Sequence, residues 1–305
     1  MKILIALFIM STYAIAENTI NLTLEGKSLG AVQRSEFVLP PFDYSVINDE
    51  KMNHFLKQME EKTYKNPMNA TFNEKGALIS EKPGYKLNKP KFMDMFYTAY
   101  FKSGPAAFEV PLQTIYPRVD SELLDNLREK RIGSYVTFFN SSNKERTHNI
   151  RLAANAINGH VVFPGETFSF NKIVGKRTVA KGYLPAPVIV RGELSEGVGG
   201  GICQVSSTLF NAVDKASVDI TERYSHSRRV PYVPPNRDAT VSWYGPDFKF
   251  KNPHNRPLLI RARVIGGQLF VVVLSSDEII YKPKDIPSAP KRLPVEVNSK
   301  QKGEN

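Results

Sequence analysis

The residues best suited to chemistry lie in one run, Gly197-Val198-Gly199-Gly200-Gly201-Ile202-Cys203-Gln204-Val205-Ser206-Ser207-Thr208-Leu209-Phe210. Its cysteine is the single one in 305 residues. Four glycines in five positions carry an entropic cost, which is warranted where backbone turns tightly or comes close to a ligand. Val205, Leu209, Ala212, Val213 and Ala216 then repeat at helical spacing. Cys203 therefore falls in the first turn of a helix from about Ile202 to Ala216, where unpaired N–H groups and the helix dipole favour an anion. That environment lowers a thiol from its free pKa of about 8.5 and raises the thiolate fraction. The same N–H groups could hold an oxyanion in acyl transfer, which makes Gly199, Gly200, Gly201, Gln204 and Ser206 candidate ligand contacts. A phosphate-cradling loop is the competing chemistry, but the run lacks the Lys-Ser/Thr ending of a P-loop. A cysteine that is merely packed, or that links two chains, needs none of this glycine.

A cysteine nucleophile works with a base, and the base with a group that orients it. His226 is the candidate base, because it follows a strand-like segment returning from the Cys203 helix and so can reach that helix's N-terminus. His54, His148, His160 and His254 have no such placement; a surface or capping role is the plain alternative for any of the five. Asp238, in Pro234-Pro235-Asn236-Arg237-Asp238-Ala239-Thr240, could orient His226, bind substrate, or simply close a turn. Arg223, Arg228, Arg229 and Arg237 form a local basic cluster, and Arg228 and Arg237 are candidate contacts for substrate carboxylates. One cysteine and scattered histidines give no metal-ligand spacing, and no cofactor is implied.

The elements that must position these groups read as an α+β chain. Residues 68–130 predict a small α/β domain: a hairpin at Ala70–Phe72 and Ala77–Ile79, a helix over Lys89–Lys102, a strand over Ala107–Thr114 and a helix over Ser121–Lys130. Residues 131–280 predict a β-rich mixed domain with a helix carrying the cysteine at its N-terminus. It opens with a strand at Ile132–Phe139 and a helix capped by Thr147 that runs to Ile157. Strand-like pieces follow at Val161–Phe163, Thr167–Phe170, Ala186–Arg191, Val218–Arg223, Thr240–Trp243 and Asp247–Lys251. The domain closes on a hairpin, Leu258–Val264 and Gln268–Leu274, turned by Gly266-Gly267. Residues 17–67 read as an N-terminal extension with a possible helix at Asp49–Lys62. Residues 281–305, with four prolines and six Lys or Arg against three acids, read as a disordered basic tail.

Residues 1–16 read as a signal peptide: Lys2, an apolar run from Ile3 to Met10, then Ala14-Ile15-Ala16. The run is shorter than the roughly 20 apolar residues of a membrane span. Export to a periplasm or an extracellular cell wall is the expectation, with no transmembrane segment. The formal charge of +11 falls to +10 without Lys2 and suits anionic partners such as wall polymers, or simple solvation by lysine. Export argues against nucleic acid as the partner.

Several ordered motifs resemble the VanW family of bacterial envelope proteins. They are Arg146-Thr147-His148-Asn149-Ile150, Pro164-Gly165-Glu166-Thr167-Phe168-Ser169-Phe170-Asn171, Gly182-Tyr183, and Gly199-Gly200-Gly201-Ile202-Cys203-Gln204-Val205-Ser206. His226-Ser227, Tyr232-Val233-Pro234-Pro235 and Arg237-Asp238-Ala239-Thr240-Val241 continue the series. Glu81-Lys82-Pro83-Gly84-Tyr85 is similar to the peptidoglycan-binding-like domain that often precedes VanW domains. The resemblance covers roughly residues 68 to 275. Some VanW-domain proteins are regarded as cysteine L,D-transpeptidases, which implies Cys203 as nucleophile acting on peptidoglycan peptide stems through a thioester. The base role of His226 is inferred from its position. Asn236 stands where glycine commonly precedes Arg-Asp, and it can still adopt a left-handed turn. A non-catalytic peptidoglycan-binding or envelope-assembly protein, and a hydrolase using the same cysteine, are the alternatives.

Overall fold

The computed structural model describes residues 18–42, 44–73, 76–190 and 193–292, without the side chains of residues 187–196. The predicted signal peptide, the Glu74-Lys75 turn tip and residues 293–305 lie outside that description. The chain forms two compact units, residues 1–69 with 81–118, and residues 70–80 with 119–305.

The first unit holds β1 (Thr19–Leu24), β2 (Lys27–Gln33) and α1 (Asp49–Thr63). The hairpin β3 (Thr71–Phe72) and β4 (Leu78–Ile79) belongs to the second unit. The first unit then resumes with β5 (Gly84–Leu87), α2 (Lys89–Phe101), β6 (Ala106–Glu109) and β7 (Leu112–Ile115). Residues 18–65 are thus part of a domain, not an extension to one. β1 pairs in parallel with β6, more than eighty residues away, and antiparallel with β2. Phe55 of α1 packs 6.0 Å from Phe92 and 5.7 Å from Phe96 of α2, ring centre to ring centre, which joins the two helices in one core. The single strand expected over Ala107–Thr114 is two strands, since Val110-Pro111 lies between β6 on β1 and β7 on β5.

The second unit carries α3 (Ser121–Asn126), β8 (Lys130–Phe138), α4 (Lys144–Ile157), β9 (His160–Val162), β10 (Thr167–Ser169) and α5 (Phe170–Val174). A hairpin β11 (Pro185–Val190) and β12 (Glu193–Val198) precedes α6 (Ile202–Lys215). Then come β13 (Asp219–Glu222), β14 (Lys249–Lys251), β15 (Leu258–Ile265) and β16 (Gln268–Ser275). The expected domain boundary at residues 67/68 therefore does not coincide with the packing: Ala70 N–H donates to Val119 C=O at 2.8 Å, and Phe72 sits in a cluster with Val161 and Leu259.

The main sheet has the order β8-β16-β15-β9, all antiparallel, with Val136 opposite Phe270 and Ala262 opposite Val271. Leu269, Val271 and Val273 alternate into the core as a half-buried strand requires. α6 lies on this sheet so closely that a Cβ on Gly133 of β8 would stand 2.2 Å from the carbonyl oxygen of Ala212. Only glycine permits that approach, and it sets the depth at which the Cys203 helix is buried. A smaller sheet, β10-β14-β13, packs Phe168 on Phe250 at 4.9 Å.

Three local expectations change. α4 starts at Lys144 with Asn143 as its cap, whose side chain accepts from Arg146 N–H; Thr147 sits inside the first turn and donates to Asn143 C=O at 2.6 Å. Thr240–Trp243 is not a strand of any sheet: Thr240 N–H donates to Tyr224 C=O, Val241 C=O faces the Cys203 sulfur and Ser242 N–H donates to Pro246 C=O. Residues 281–292 of the expected tail are packed. Ala289 is buried, Tyr281 and Ile286 lean on the core, and Tyr135 Oη donates to Pro287 C=O at 2.8 Å. A proline-rich extended segment covers a core edge by side-chain contact without needing sheet hydrogen bonds, which composition alone does not reveal.

Candidate active site

α6 opens at Gly201, whose φ of +100° is a left-handed conformation and whose missing side chain leaves room for Ile150 and Arg146 of α4. The loop is held by Asn149, a fully buried side chain that donates to the carbonyls of Leu184 (2.8 Å) and Gly200 (3.1 Å) and accepts from Leu184 N–H (2.8 Å). Gln204 is also fully buried: it donates to Thr137 Oγ1 and Phe138 C=O, both at 3.0 Å, and accepts from Arg146 at 2.7 Å. These bonds tie the cysteine's turn to β8 and α4. Two first-turn N–H groups are turned back on the loop, Ile202 to Gly199 C=O and Gln204 to Gly201 C=O.

Cys203 is partly exposed, with its Sγ 3.5 Å from Val241 C=O and 3.8 Å from Thr240 Oγ1. His226 is close enough to the cysteine to act on its ionisation. Asp238 Oδ2 accepts both the backbone N–H and the Nδ1–H of His226, each at 2.6 Å, so Nε2 is the nitrogen left for the sulfur. The His226 and Asp238 side chains are nearly buried, at 7% and 9% exposed. Asp238 is presented by a turn in which Asn236 takes φ +62° and Arg237 N–H donates to Pro234 C=O. Arg223 Nη1 donates to Asp238 C=O at 2.7 Å and Thr240 N–H to Tyr224 C=O at 2.8 Å, which fastens this turn to the segment carrying His226.

The electrostatics of the three groups agree with their geometry. Burial pushes the Cys203 thiol up, but the hydrogen bond and charge of His226, with Val241 and Thr240, outweigh it and hold the thiol below its ordinary value. Burial disfavours the His226 cation, yet its bonds to Asp238 and Cys203 carry it up to about 9. Asp238 is raised by burial and lowered by more through His226, so it stays ionised. Tyr232, buried behind the site, has its phenol pushed well up by burial and by the sulfur's charge, and remains neutral. A thiolate–imidazolium pair backed by a carboxylate can attack a carbonyl and then deliver a proton to a leaving group.

Residues 145–274 match the family model described as "VanW like protein", and residues 25–109 match the "Putative peptidoglycan binding domain". The "Uncharacterized protein YoaR" of Bacillus subtilis is 52% identical over 295 residues, 97% of each chain. The chain belongs to the VanW family. The "Vancomycin B-type resistance protein VanW" of Enterococcus faecalis is 32% identical over 115 residues, 36% of this chain and 42% of that one. No solved structure matches the chain. The VanW match contains every member of the Cys203, His226 and Asp238 constellation, and the peptidoglycan-binding match falls on the first unit apart from residues 70–80.

Among the sequence-derived candidates, the structure brings together Cys203, His226 and Asp238. It gives Gln204 and Ser206 internal partners and no exposure, so they position the turn and offer nothing to a ligand. Arg237 is likewise engaged, by Asn211 at 2.7 Å and Asp214 at 2.8 Å over the Phe210 ring, while Arg228 and Arg229 are exposed. His148 bonds Gly182 C=O and His254 bonds Ala216 C=O, His160 packs on Phe168, and His54 lies exposed on α1. Asn149 and Arg177 beside the glycine loop were not singled out from sequence. Asn149 stood inside a quoted motif; Arg177, next to Lys176 in a loop, carries no local signal.

Proposed function

We propose that this protein is an exported cysteine L,D-transpeptidase that acts on peptidoglycan peptide stems through a thioester. The observation that carries the reading is the grouping of Cys203 at the start of α6 with His226, which lowers the thiol's pKa and is itself held by Asp238 at 2.6 Å. The match of the first unit to a peptidoglycan-binding family supports the cell envelope as the place and the stem as the substrate.

The Cys203 thiolate attacks the carbonyl after the L-centre of a donor tetrapeptide stem, forming the C–S bond and a tetrahedral oxyanion. With Ile202 and Gln204 N–H already engaged, the amide of Cys203 itself is the first-turn donor nearest to that oxyanion. His226 gives its Nε2 proton to the departing D-Ala amine as the C–N bond breaks. A side-chain amine of a second stem then attacks the thioester and passes a proton to His226. The C–S bond breaks and the thiolate returns.

Incubation of the purified protein with muropeptides tests this. Dimers that require Cys203, and a thioester adduct trapped on it, are the expected outcome. Shortened monomers would mean hydrolysis; neither product, or products unchanged in Cys203→Ala, would remove the catalytic reading.

A further inference from the structure

Arg177 lies in the stretch between α5 and β11 and is the residue whose stem passes under the glycine loop. A Cβ on Gly199 would stand 3.1 Å from its Cβ and 3.3 Å from its Cγ. Its guanidinium sits 5.8 Å from the Phe170 ring, and both terminal nitrogens are buried with no hydrogen-bond partner among the described residues. A guanidinium carries five N–H donors in a planar fork, and burying it unpaired is among the costliest arrangements a protein can hold. The carboxylate within electrostatic reach, Asp247, does not relieve it. Asp247 already accepts from Ser169 Oγ, Asn171 N–H and Phe248 N–H, and among the described residues no ion pair joins it to Arg177. Arg177 is also within electrostatic reach of Cys203 and of the buried Tyr183.

We propose that Arg177 is the carboxylate-binding residue of the ligand subsite beside Cys203, and that its bidentate partner is the terminal carboxylate of a donor stem peptide. This rests on the peptide-stem reading of the site, though not on acyl transfer. A carboxylate matches the fork in shape and charge and satisfies both orphaned nitrogens at once. Its place is also stereochemically sensible: the leaving residue's carboxylate lies one residue beyond the carbonyl that Cys203 attacks. Arg177 would thus select stems that end in a free carboxylate and set their register against the sulfur.

The test is calorimetric titration of the full chain, as Cys203→Ala, with a synthetic stem tetrapeptide ending in free D-Ala and with its C-terminal amide. The acid should bind about tenfold or more tightly than the amide. Arg177→Gln should abolish that preference and Arg177→Lys should keep part of it. A second measurement needs no peptide: with Cys203 intact, the ratio of alkylation rates by iodoacetate and iodoacetamide should fall in Arg177→Gln. Equal binding of acid and amide, no binding of either, or an acid preference that survives in a folded Arg177→Gln overturns the assignment. The two readings fail separately. Arg177-dependent binding without dimers removes the transfer chemistry alone, and dimers without acid preference remove the subsite alone.

Discussion

Asp238→Asn is the substitution that probes the site's electrostatics with least disturbance to its shape. Asp238 Oδ2 accepts two N–H groups of His226 at 2.6 Å, and asparagine retains one oxygen for them while losing the charge. His226 rises from an ordinary 6.5 to about 9, which corresponds to a preference for the protonated ring of about 3 kcal/mol. A hydrogen bond to a charged partner contributes about 1.5–3 kcal/mol, so the variant should lower the His226 pKa by about one to two. A less basic His226 stabilises the Cys203 thiolate less, and the thiol pKa rises. Iodoacetamide alkylation followed from pH 5 to 10 should show its rising limb moved upward by about one pH unit, with the rate near pH 6 reduced about tenfold. Stability supplies the sign check. Because the folded pKa of His226 is raised, its contribution is fully present below pH 6.5 and is lost as pH rises through about 9. The melting temperature of the parent should therefore fall more steeply between pH 7 and 10 than that of the variant. Superimposable alkylation profiles for two equally folded proteins would refute the reasoning, since the carboxylate would then have no hold on the sulfur.

Two further outcomes follow from the packing. Gly201→Ala, at φ +100° and with its new Cβ 2.9 Å from Ile150 Cγ1, should destabilise by about 1–3 kcal/mol, seen as a drop in thermal midpoint, and slow alkylation of Cys203; Gly26→Ala, at φ +72° with nothing within 4 Å of the new atom, carries the backbone strain without the contact and should leave alkylation unchanged. Ending the chain before Tyr281 should lower stability by about 2–4 kcal/mol through loss of the Ala289 and Ile286 packing, and should blunt acid sensitivity as well. Burial raises Asp214, but Lys284 and Arg237 lower it by more, so that pairing stabilises above the ordinary carboxylate value and is lost as pH falls below it.

The helix behind Cys203, the closing β15–β16 hairpin and α2 were legible because each signal is local: glycine spacing, a Gly-Gly turn, an apolar period. The site was half legible. Cys203 announces itself by the loop, and His226 follows from the idea that a returning strand reaches the helix start, while Asp238 was equally readable as a turn residue. What failed to show in sequence is what depends on distant partners. β1 needs β6 to be a strand, and a weakly apolar segment such as Lys27–Gln33 makes sense only once β1 stands beside it. Gln204 and Ser206 look like ligand contacts beside a nucleophile, and only the burial of α6 shows that their polar atoms are used inward. Residues 281–292 have the composition of a free tail and are held by a few contacts that composition cannot encode.

The clasp between α6 and residues 239–241 has one more consequence. Ser206, Ser207 and Cys203 bond to the very segment that presents Asp238, so the sulfur's turn and the group that orients its base are organised in one event. Before that event the chain carries an ordinary thiol, mostly protonated at neutral pH. The lowered thiol pKa is thus conferred by folding itself. What the chain meets while still extended meets a thiol with its ordinary pKa, so the pH dependence of alkylation, shifted downward once the site forms, distinguishes folded from extended molecules.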